Sequence, residues 1–71
     1  MTRPYAVGQI CLRPGVHEME CPLSRQDVRR MLDQFYAAVG RYGVHYDIIG
    51  TGVKTIGGRQ RMYVVRYRVN G

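Results

Sequence analysis

The side chains that most often bind metals are scarce in this sequence. Its only thiols belong to Cys11 and Cys21, and its only imidazoles belong to His17 and His45. Structural zinc sites take their ligands from closely spaced pairs, whereas nine residues separate the two cysteines. A disulfide framework needs more cysteines than this. We therefore predict reduced, unligated thiols, with no cofactor and no metal.

Catalytic groups are equally sparse. Glu18 and Glu20 fall on one predicted strand, but Arg13 is a simpler partner for Glu18 than a reacting group. The sequence has no nucleophile elbow and no serine–histidine–carboxylate arrangement. The glycine-rich segment GTGVKTIGG, residues 50–58, lacks the GK[ST] of a phosphate-binding loop and opens no helix. We predict that the protein is not an enzyme.

Positive charge is the strongest chemical signal in the chain. Ten Arg and one Lys stand against five acidic residues, giving a formal net charge of +6 over 71 residues. Such an excess favours an acidic partner, either nucleic acid or an acidic protein surface. Arg suits both, because its planar fork matches phosphate and carboxylate. Two alternatives stay open: the charge serves only solubility, or it reflects a GC-rich genome.

The second half of the chain concentrates this charge on one predicted hairpin. We predict that its tip and outer face bind nucleic acid or another partner. The candidate binding residues are Lys54, Arg59, Arg61, Arg66 and Arg68. Two-stranded ribbons fit nucleic-acid grooves and are positioned by phosphate contacts. Under the simpler interpretation the arginines only protect an edge strand against aggregation, and Asp47 neutralises Arg68.

The register of this hairpin follows from its turn. Gly57-Gly58 supplies the positive φ values of a two-residue turn. The predicted pairs are Tyr46–Val69, Asp47–Arg68, Ile48–Tyr67, Ile49–Arg66, Gly50–Val65, Thr51–Val64, Gly52–Tyr63 and Lys54–Arg61. Gly50 and Gly52 then face the core, where they either relieve crowding near the helix or mark a bulge that bends the hairpin. A tip around residues 52–60 is expected to project.

A helix and a shorter hairpin are predicted in the first half. Residues 5–13 and 16–21 resemble strands around a Pro14-Gly15 turn, in a register that places Arg13 opposite Glu18. A three-residue loop would instead set Cys11 directly opposite Cys21. Ser24 and Gly43 are suitable caps for a helix over 25–42. The order hairpin, helix, hairpin predicts an α+β two-layer sandwich (ββαββ), with one helix packed on an antiparallel sheet in a single domain, residues 1–71.

The two faces of the predicted helix differ sharply. One stripe is apolar at helical spacing and is expected to pack on the sheet. It contains Val28, Met31, Leu32, Phe35, Ala38, Val39 and Tyr42. The opposite face is basic, and we interpret it as an ordinary solvent-exposed face. Its arginines are Arg25, Arg29, Arg30 and Arg41.

The side of the sheet away from the helix is half apolar in this prediction. Its candidate interface residues are Ile49, Met62 and Val64. An apolar face that no helix covers suggests burial by a second molecule, either as a homodimer through the open sheet face or by docking onto a larger protein. Scattered exposed aliphatic residues are also normal. Because the tyrosines of the hairpin point to the helix, a platform for stacking RNA bases is disfavoured.

Two functions are consistent with these features. The first is a small, non-enzymatic regulatory protein of prokaryotic or phage type, which acts on nucleic acid or its machinery through the basic hairpin. The alternative is a protein inhibitor or adaptor that docks its half-apolar sheet face on an acidic protein surface. Phage host-takeover and anti-CRISPR proteins are often this small, which is an analogy of class and not a feature of these residues. The chain has no apolar run of transmembrane length and no signal-peptide core, so we expect a cytoplasmic protein without membrane contact.

Overall fold

Three antiparallel strands and one helix make up the fold. The structure, a computed structural model, describes residues 10–70. In chain order the elements are β1 (Gly15–Pro22), α1 (Arg25–Tyr42), β2 (His45–Ile56) and β3 (Gln60–Asn70). The sheet has the order β1-β3-β2, and both pairings are antiparallel. The predicted α+β arrangement of one helix on an antiparallel sheet is confirmed, although the described part has three strands rather than four.

Helix α1 begins and ends where its capping residues predict. The Ser24 hydroxyl oxygen accepts a hydrogen bond from the backbone N–H of Asp27 at 3.1 Å, which satisfies one of the free donors of the first turn. Gly43 closes the helix in the left-handed conformation, with φ 62 and ψ 37. These local signals set the bounds of the helix independently of its packing.

The core lies between α1 and the strands β1 and β3. Its buried side chains are Met19, Cys21, Met31, Phe35, Val39, Val65, Tyr67 and Val69. Phe35 and Tyr67 are both fully buried, and their ring centroids are 4.9 Å apart. Tyr42 was predicted to join this core, but 67% of it is exposed. It occupies the last turn of the helix.

The predicted first hairpin is wrong within the described residues. Residues 10–14 form no strand, and residues 5–9 lie outside the described part. The buried Tyr67 hydroxyl accepts from the Cys11 N–H at 3.1 Å and donates to the Cys11 carbonyl at 2.8 Å. It thus uses the backbone groups that a strand would need for its ladder. β1 pairs instead with β3, where Met19 lies opposite Val65.

The second hairpin follows the predicted register at its base and departs from it beyond Ile48. Tyr46–Val69, Asp47–Arg68 and Ile48–Tyr67 pair as predicted. The remaining pairs were wrong by one residue, because the loop holds Gly57, Gly58 and Arg59 rather than two residues. A bulge between Ile48 and Gly50 absorbs the extra residue. The two irregularities therefore cancel, and the base keeps its register.

This bulge decides which interpretation of the strand glycines is correct. It exchanges the faces of the following residues, so Gly50 and Gly52 lie opposite Arg66 and Val64 on the outer face, away from α1. No atom lies within 4 Å of a Cβ built on either glycine. The suggested crowding near the helix was therefore wrong, and the suggested bulge is confirmed.

Candidate binding surfaces

Beyond the bulge the end of the hairpin forms an arm, defined here as residues 50–61. Every residue from Gly50 to Arg61 is exposed, whereas the base of the same hairpin contributes Tyr67 and Val69 to the core. Gly57 and Gly58 at the tip have φ values of 63 and 78, which glycine adopts readily. The side chains of the arm are therefore exposed, while the base of the hairpin is anchored in the core.

Two of the predicted binding residues stand at the end of this arm. Arg59 is the last residue of the loop, and its N–H donates to the Ile56 carbonyl at 3.3 Å. Arg61 follows on β3, opposite Thr55. Both side chains are exposed, and neither forms an ion pair with any carboxylate in residues 10–70. Their positive charge is available to a ligand.

Two other predicted binding residues are already neutralised by glutamates of β1. The Lys54 ammonium lies 3.0 Å from a Glu20 carboxylate oxygen. The Arg66 guanidinium donates twice to one oxygen of Glu18, at 2.8 and 3.1 Å. These pairs are partly exposed, so water screens them and either cation can be released to a ligand at small cost. Sequence reasoning missed them because the partner of β1 was misassigned.

Arg68, the fifth predicted binding residue, lies on the outer face nearer the base. It is paired across the sheet with Asp47, as predicted. The Asp47 carboxylate, however, accepts a hydrogen bond from the Asn70 amide at 3.3 Å, and within residues 10–70 it forms no ion pair with Arg68. Asp47 therefore does not compensate the charge of Arg68 through an ion pair, but Arg68 lies away from the tip.

The predicted interface residues lie on this same outer face. Ile49 and Val64 line an open depression of about 390 Å³, whose floor includes Gly50 and Gly52. The third, Met62, is half-buried and pairs with Lys54 beside it. The two ion pairs flank the depression, since Glu18, Lys54 and Arg66 also line it. The outer face therefore combines an apolar centre with a charge-balanced rim.

The tyrosines of the hairpin face the helix, as predicted. Tyr67 is fully buried, and Tyr46 and Tyr63 pack partly buried against the core. The Tyr46 ring meets Phe35 edge-on, with centroids 5.0 Å apart. These rings fill the space between the two layers and are not arranged on the outer face for base stacking.

Titratable groups within the core are held in their neutral forms. Burial raises the pKa of the Cys21 thiol, and the nearby Asp27 carboxylate raises it further. Burial also raises the pKa of the Tyr67 phenol, although the hydrogen bond with the Cys11 backbone acts in the opposite direction. Cys11 and Cys21 are both free thiols. A buried thiol with a raised pKa is a poor nucleophile.

Metal, membrane and family signals add no further site. Residues 10–70 hold no group of three metal-ligating side chains. In the same part of the chain, α1 lacks the length and apolarity of a membrane-crossing helix. Comparisons with protein-family models, with curated proteins and with solved structures each found no match.

Proposed function

We propose that this protein is a non-enzymatic regulatory binding protein that contacts nucleic acid through its arm. One observation carries the proposal: Arg59 and Arg61 stand exposed at the tip of the second hairpin, past the last residue pair of β1 with β3, without a carboxylate partner in the described chain. Cations left unpaired on an exposed ribbon bind phosphate at little desolvation cost. The overall charge of +6 adds long-range attraction for the same kind of partner.

The geometry of the tip suits phosphate contacts. Each guanidinium presents a planar fork that can donate two hydrogen bonds to one phosphate. Gly57 and Gly58 carry no side chain, so the loop can approach a sugar–phosphate backbone closely. Past the end of β1 only the pairs Thr55–Arg61 and Ile56–Gln60 and the loop remain, and a two-stranded ribbon of this width fits the major groove of duplex DNA. Lys54 adds a third contact once the phosphate displaces Glu20.

Contacts of this kind recognise the backbone rather than the bases. Phosphate contacts fix the position and orientation of a protein on a duplex but carry no sequence information. The tip offers no Asn or Gln beside Arg59 and Arg61 except Gln60. We therefore propose binding with little sequence preference, in which the protein would regulate by occupying nucleic acid.

A direct binding assay with a matched charge control tests this proposal. Fluorescence anisotropy at ~50 mM salt would follow labelled duplex DNA and single-stranded RNA. The variant R59A/R61A removes two charges from the tip, and R25A/R29A removes two from the exposed helix face. We expect a loss of about tenfold or more for the tip variant, and a much smaller loss for the helix variant.

Two results would overturn the proposal. One is the absence of any affinity for DNA or RNA by the wild-type protein at this low salt. The other is an equal loss for the two double variants, which would mean that net charge alone attracts the ligand. Circular dichroism of both variants checks that the fold is retained, since substitutions at exposed sites seldom cost more than about 0.5 kcal/mol.

A second function is favoured by the apolar depression on the outer face. We propose as an alternative that this face docks on an acidic protein surface, with Ile49, Met62 and Val64 at the centre and Arg68 at the rim. Apolar centres and polar rims are typical of protein interfaces. Their binding would depend weakly on salt, whereas phosphate binding falls steeply as salt rises.

The alternative is tested by capture of partners with and without nuclease. If the outer face docks on a protein, a partner recovered from a host lysate should persist after nuclease treatment. I49D should abolish that capture, because it places a charge in the apolar centre, while R59A/R61A should mainly slow association. Loss of all captured material after nuclease treatment would instead support the nucleic-acid function.

A further inference from the structure

The outward edge of β2 has no neighbour in the described part of the chain. β2 lies at the end of the sheet, pairs only with β3, and has 12 residues, of which only Tyr46 is partly buried. Edge strands that stay monomeric are commonly short or protected by proline, by charges or by β-bulges. β2 has one bulge, between Ile48 and Gly50, but it is the longest described strand, has no proline and carries a single lysine. It is therefore an open template for another strand.

Two apolar side chains of this strand, Ile48 and Val53, are exposed on the face toward the helix. The helix covers β1 and β3 but buries no residue of β2. Ile48 is 41% exposed and Val53 is 55% exposed. Tyr36 of α1, 48% exposed, lies near Tyr46 of the same strand, with the two ring centroids 6.4 Å apart. This half of the core face is thus apolar and uncovered.

We propose that a second copy of this chain covers this edge by antiparallel pairing of β2 with β2, about a two-fold axis at Thr51. Thr51 then lies opposite its counterpart, and Gly50 lies opposite Gly52. The bulged Ile49 is skipped on both copies, as it is against β3. Ile48 consequently meets Val53, and Asp47 meets Lys54. Side chains that meet across the axis lie on the same face of the sheet, as continuous pairing requires.

Charge complementarity favours a two-fold axis at Thr51 over an axis at the neighbouring positions. A shift of the axis to Gly52 would place Ile56 opposite Asp47, and a shift to Gly50 would place Gly52 there. An axis between two residues would bring side chains of opposite faces together. With the axis at Thr51, both Asp47–Lys54 pairs join opposite charges, and both Ile48–Val53 pairs bury apolar surface. The strand is therefore self-complementary in one register, as an isologous interface requires.

The existing contacts of the two charged residues allow this pairing. Lys54 meets Glu20 at 3.0 Å, and Asp47 accepts one hydrogen bond from Asn70 at 3.3 Å. A Lys ammonium has three donors, and a carboxylate has several acceptor sites. Glu20 lies on β1, on the far side of β3 from the outward edge of β2, so Lys54 exchanges Glu20 for Asp47 of the second copy. The exchange costs little because the existing pair is partly exposed. Because Arg59 and Arg61 lie outside β2, R59A/R61A tests nucleic-acid binding without altering the dimer contacts. Lys54 belongs to both proposals, so D47K and the cysteine variants below test the dimer without altering a proposed phosphate contact.

A charge-swap experiment tests the pairing. In D47K alone, like charges would meet across both halves of the interface, and the same holds for K54D alone. Mixing D47K with K54D restores opposite charges at both contacts. Sedimentation equilibrium should show a wild-type dimer, a dissociation constant raised about tenfold or more in each single variant, and heterodimers in the mixture. Circular dichroism of each variant confirms that the fold survives.

Cross-linking gives a second readout that does not alter charge. T51C places a thiol on the two-fold axis, whereas T55C places one opposite Tyr46 of the second copy. Mild oxidation should therefore yield disulfide-linked dimers of T51C well above the level of T55C and of the wild type, which carries Cys11 and Cys21. A wild-type protein that stays monomeric up to millimolar concentration, or a mixture without heterodimers, or equal cross-linking of T51C and T55C, would overturn the proposal.

Discussion

Strands β2 and β3 run side by side, yet they have opposite relations to the core. β3 is the central strand and buries Val65, Tyr67 and Val69, while β2 buries no residue. β3 is fixed by side-chain packing on one face and by backbone pairing on both edges. β2 is held mainly by its pairing with β3. β3 therefore contributes more to the stability of the fold than β2 does, and the side chains of β2 remain exposed.

Truncating a large side chain on each strand tests this difference between β2 and β3. Tyr67→Ala should lower the free energy of unfolding by roughly 3–5 kcal/mol, as large core aromatics do. Ile48→Ala on β2 should cost under about 1 kcal/mol, because its side chain is already partly exposed. Urea denaturation of both variants measures the difference. A loss below about 1 kcal/mol for Tyr67→Ala would contradict the packing described for β3.

Alkaline pH should lower the free energy of unfolding through two core residues, Cys21 and Tyr67. Burial raises the pKa of Cys21 above its ordinary 9.0 and that of Tyr67 above its ordinary 10.0. The unfolded chain then loses these protons at lower pH than the folded chain does. Stability should be unaffected by these groups below about pH 9 and should fall as the pH rises through the folded pKa values. Tyr67→Phe should make that fall shallower in urea titrations at a series of pH values.

Substitution of two glycines by alanine compares the backbone requirements of two positions within the arm. Gly58 has a φ of 78, so Gly58→Ala should cost about 1 kcal/mol or slightly more. Gly52 has no positive φ and open space around an added Cβ, so Gly52→Ala should be neutral or stabilising by up to about 1 kcal/mol. Thermal unfolding of the pair measures both. A marked loss for Gly52→Ala would mean that the outer face is more crowded than described.

The smallest expected effect on stability concerns the ion pair between Lys54 and Glu20. Glu20→Gln should change the free energy of unfolding by about 0–1 kcal/mol, since both side chains are partly exposed. It should nevertheless strengthen nucleic-acid binding more than Asp33→Asn does. Both changes remove one negative charge, but only the first releases a cation on the arm. Equal gains in the anisotropy assay would mean that Lys54 makes no local contact.

The features that local chemistry encodes could be predicted, and those that depend on strand order could not. Ser24, Asp27 and Gly43 define the helix because caps act within one turn. The base of the second hairpin was predictable because a one-residue slip there would expose Tyr67. No residue from Gly50 to Arg61 is buried, so the extra loop residue Arg59 shifted the register there at little packing cost. The exposed tip cations were predicted, and the glutamates that neutralise Lys54 and Arg66 were not.

The first hairpin shows a different limit. Pro14-Gly15 is a genuine turn signal, and the residues on both sides resemble strands. In the structure, however, the buried hydroxyl of Tyr67, a residue distant in sequence, forms hydrogen bonds with both the N–H and the carbonyl of Cys11. Such a requirement appears only once the partner of β1 is known. The pairing of Glu18 with Arg66 rather than with Arg13 follows from the same cause.

The salt dependence of nucleic-acid binding tests the central claim most directly. The slope of log K against log salt on duplex DNA counts the phosphate contacts, with about 0.9 per contact. If Arg59 and Arg61 each hold one phosphate, R59A/R61A should make the slope shallower by about two units, while R25A/R29A should leave it unchanged. The same slope for the wild type and the tip variant would contradict the account, because the ligand would then be held elsewhere on the molecule.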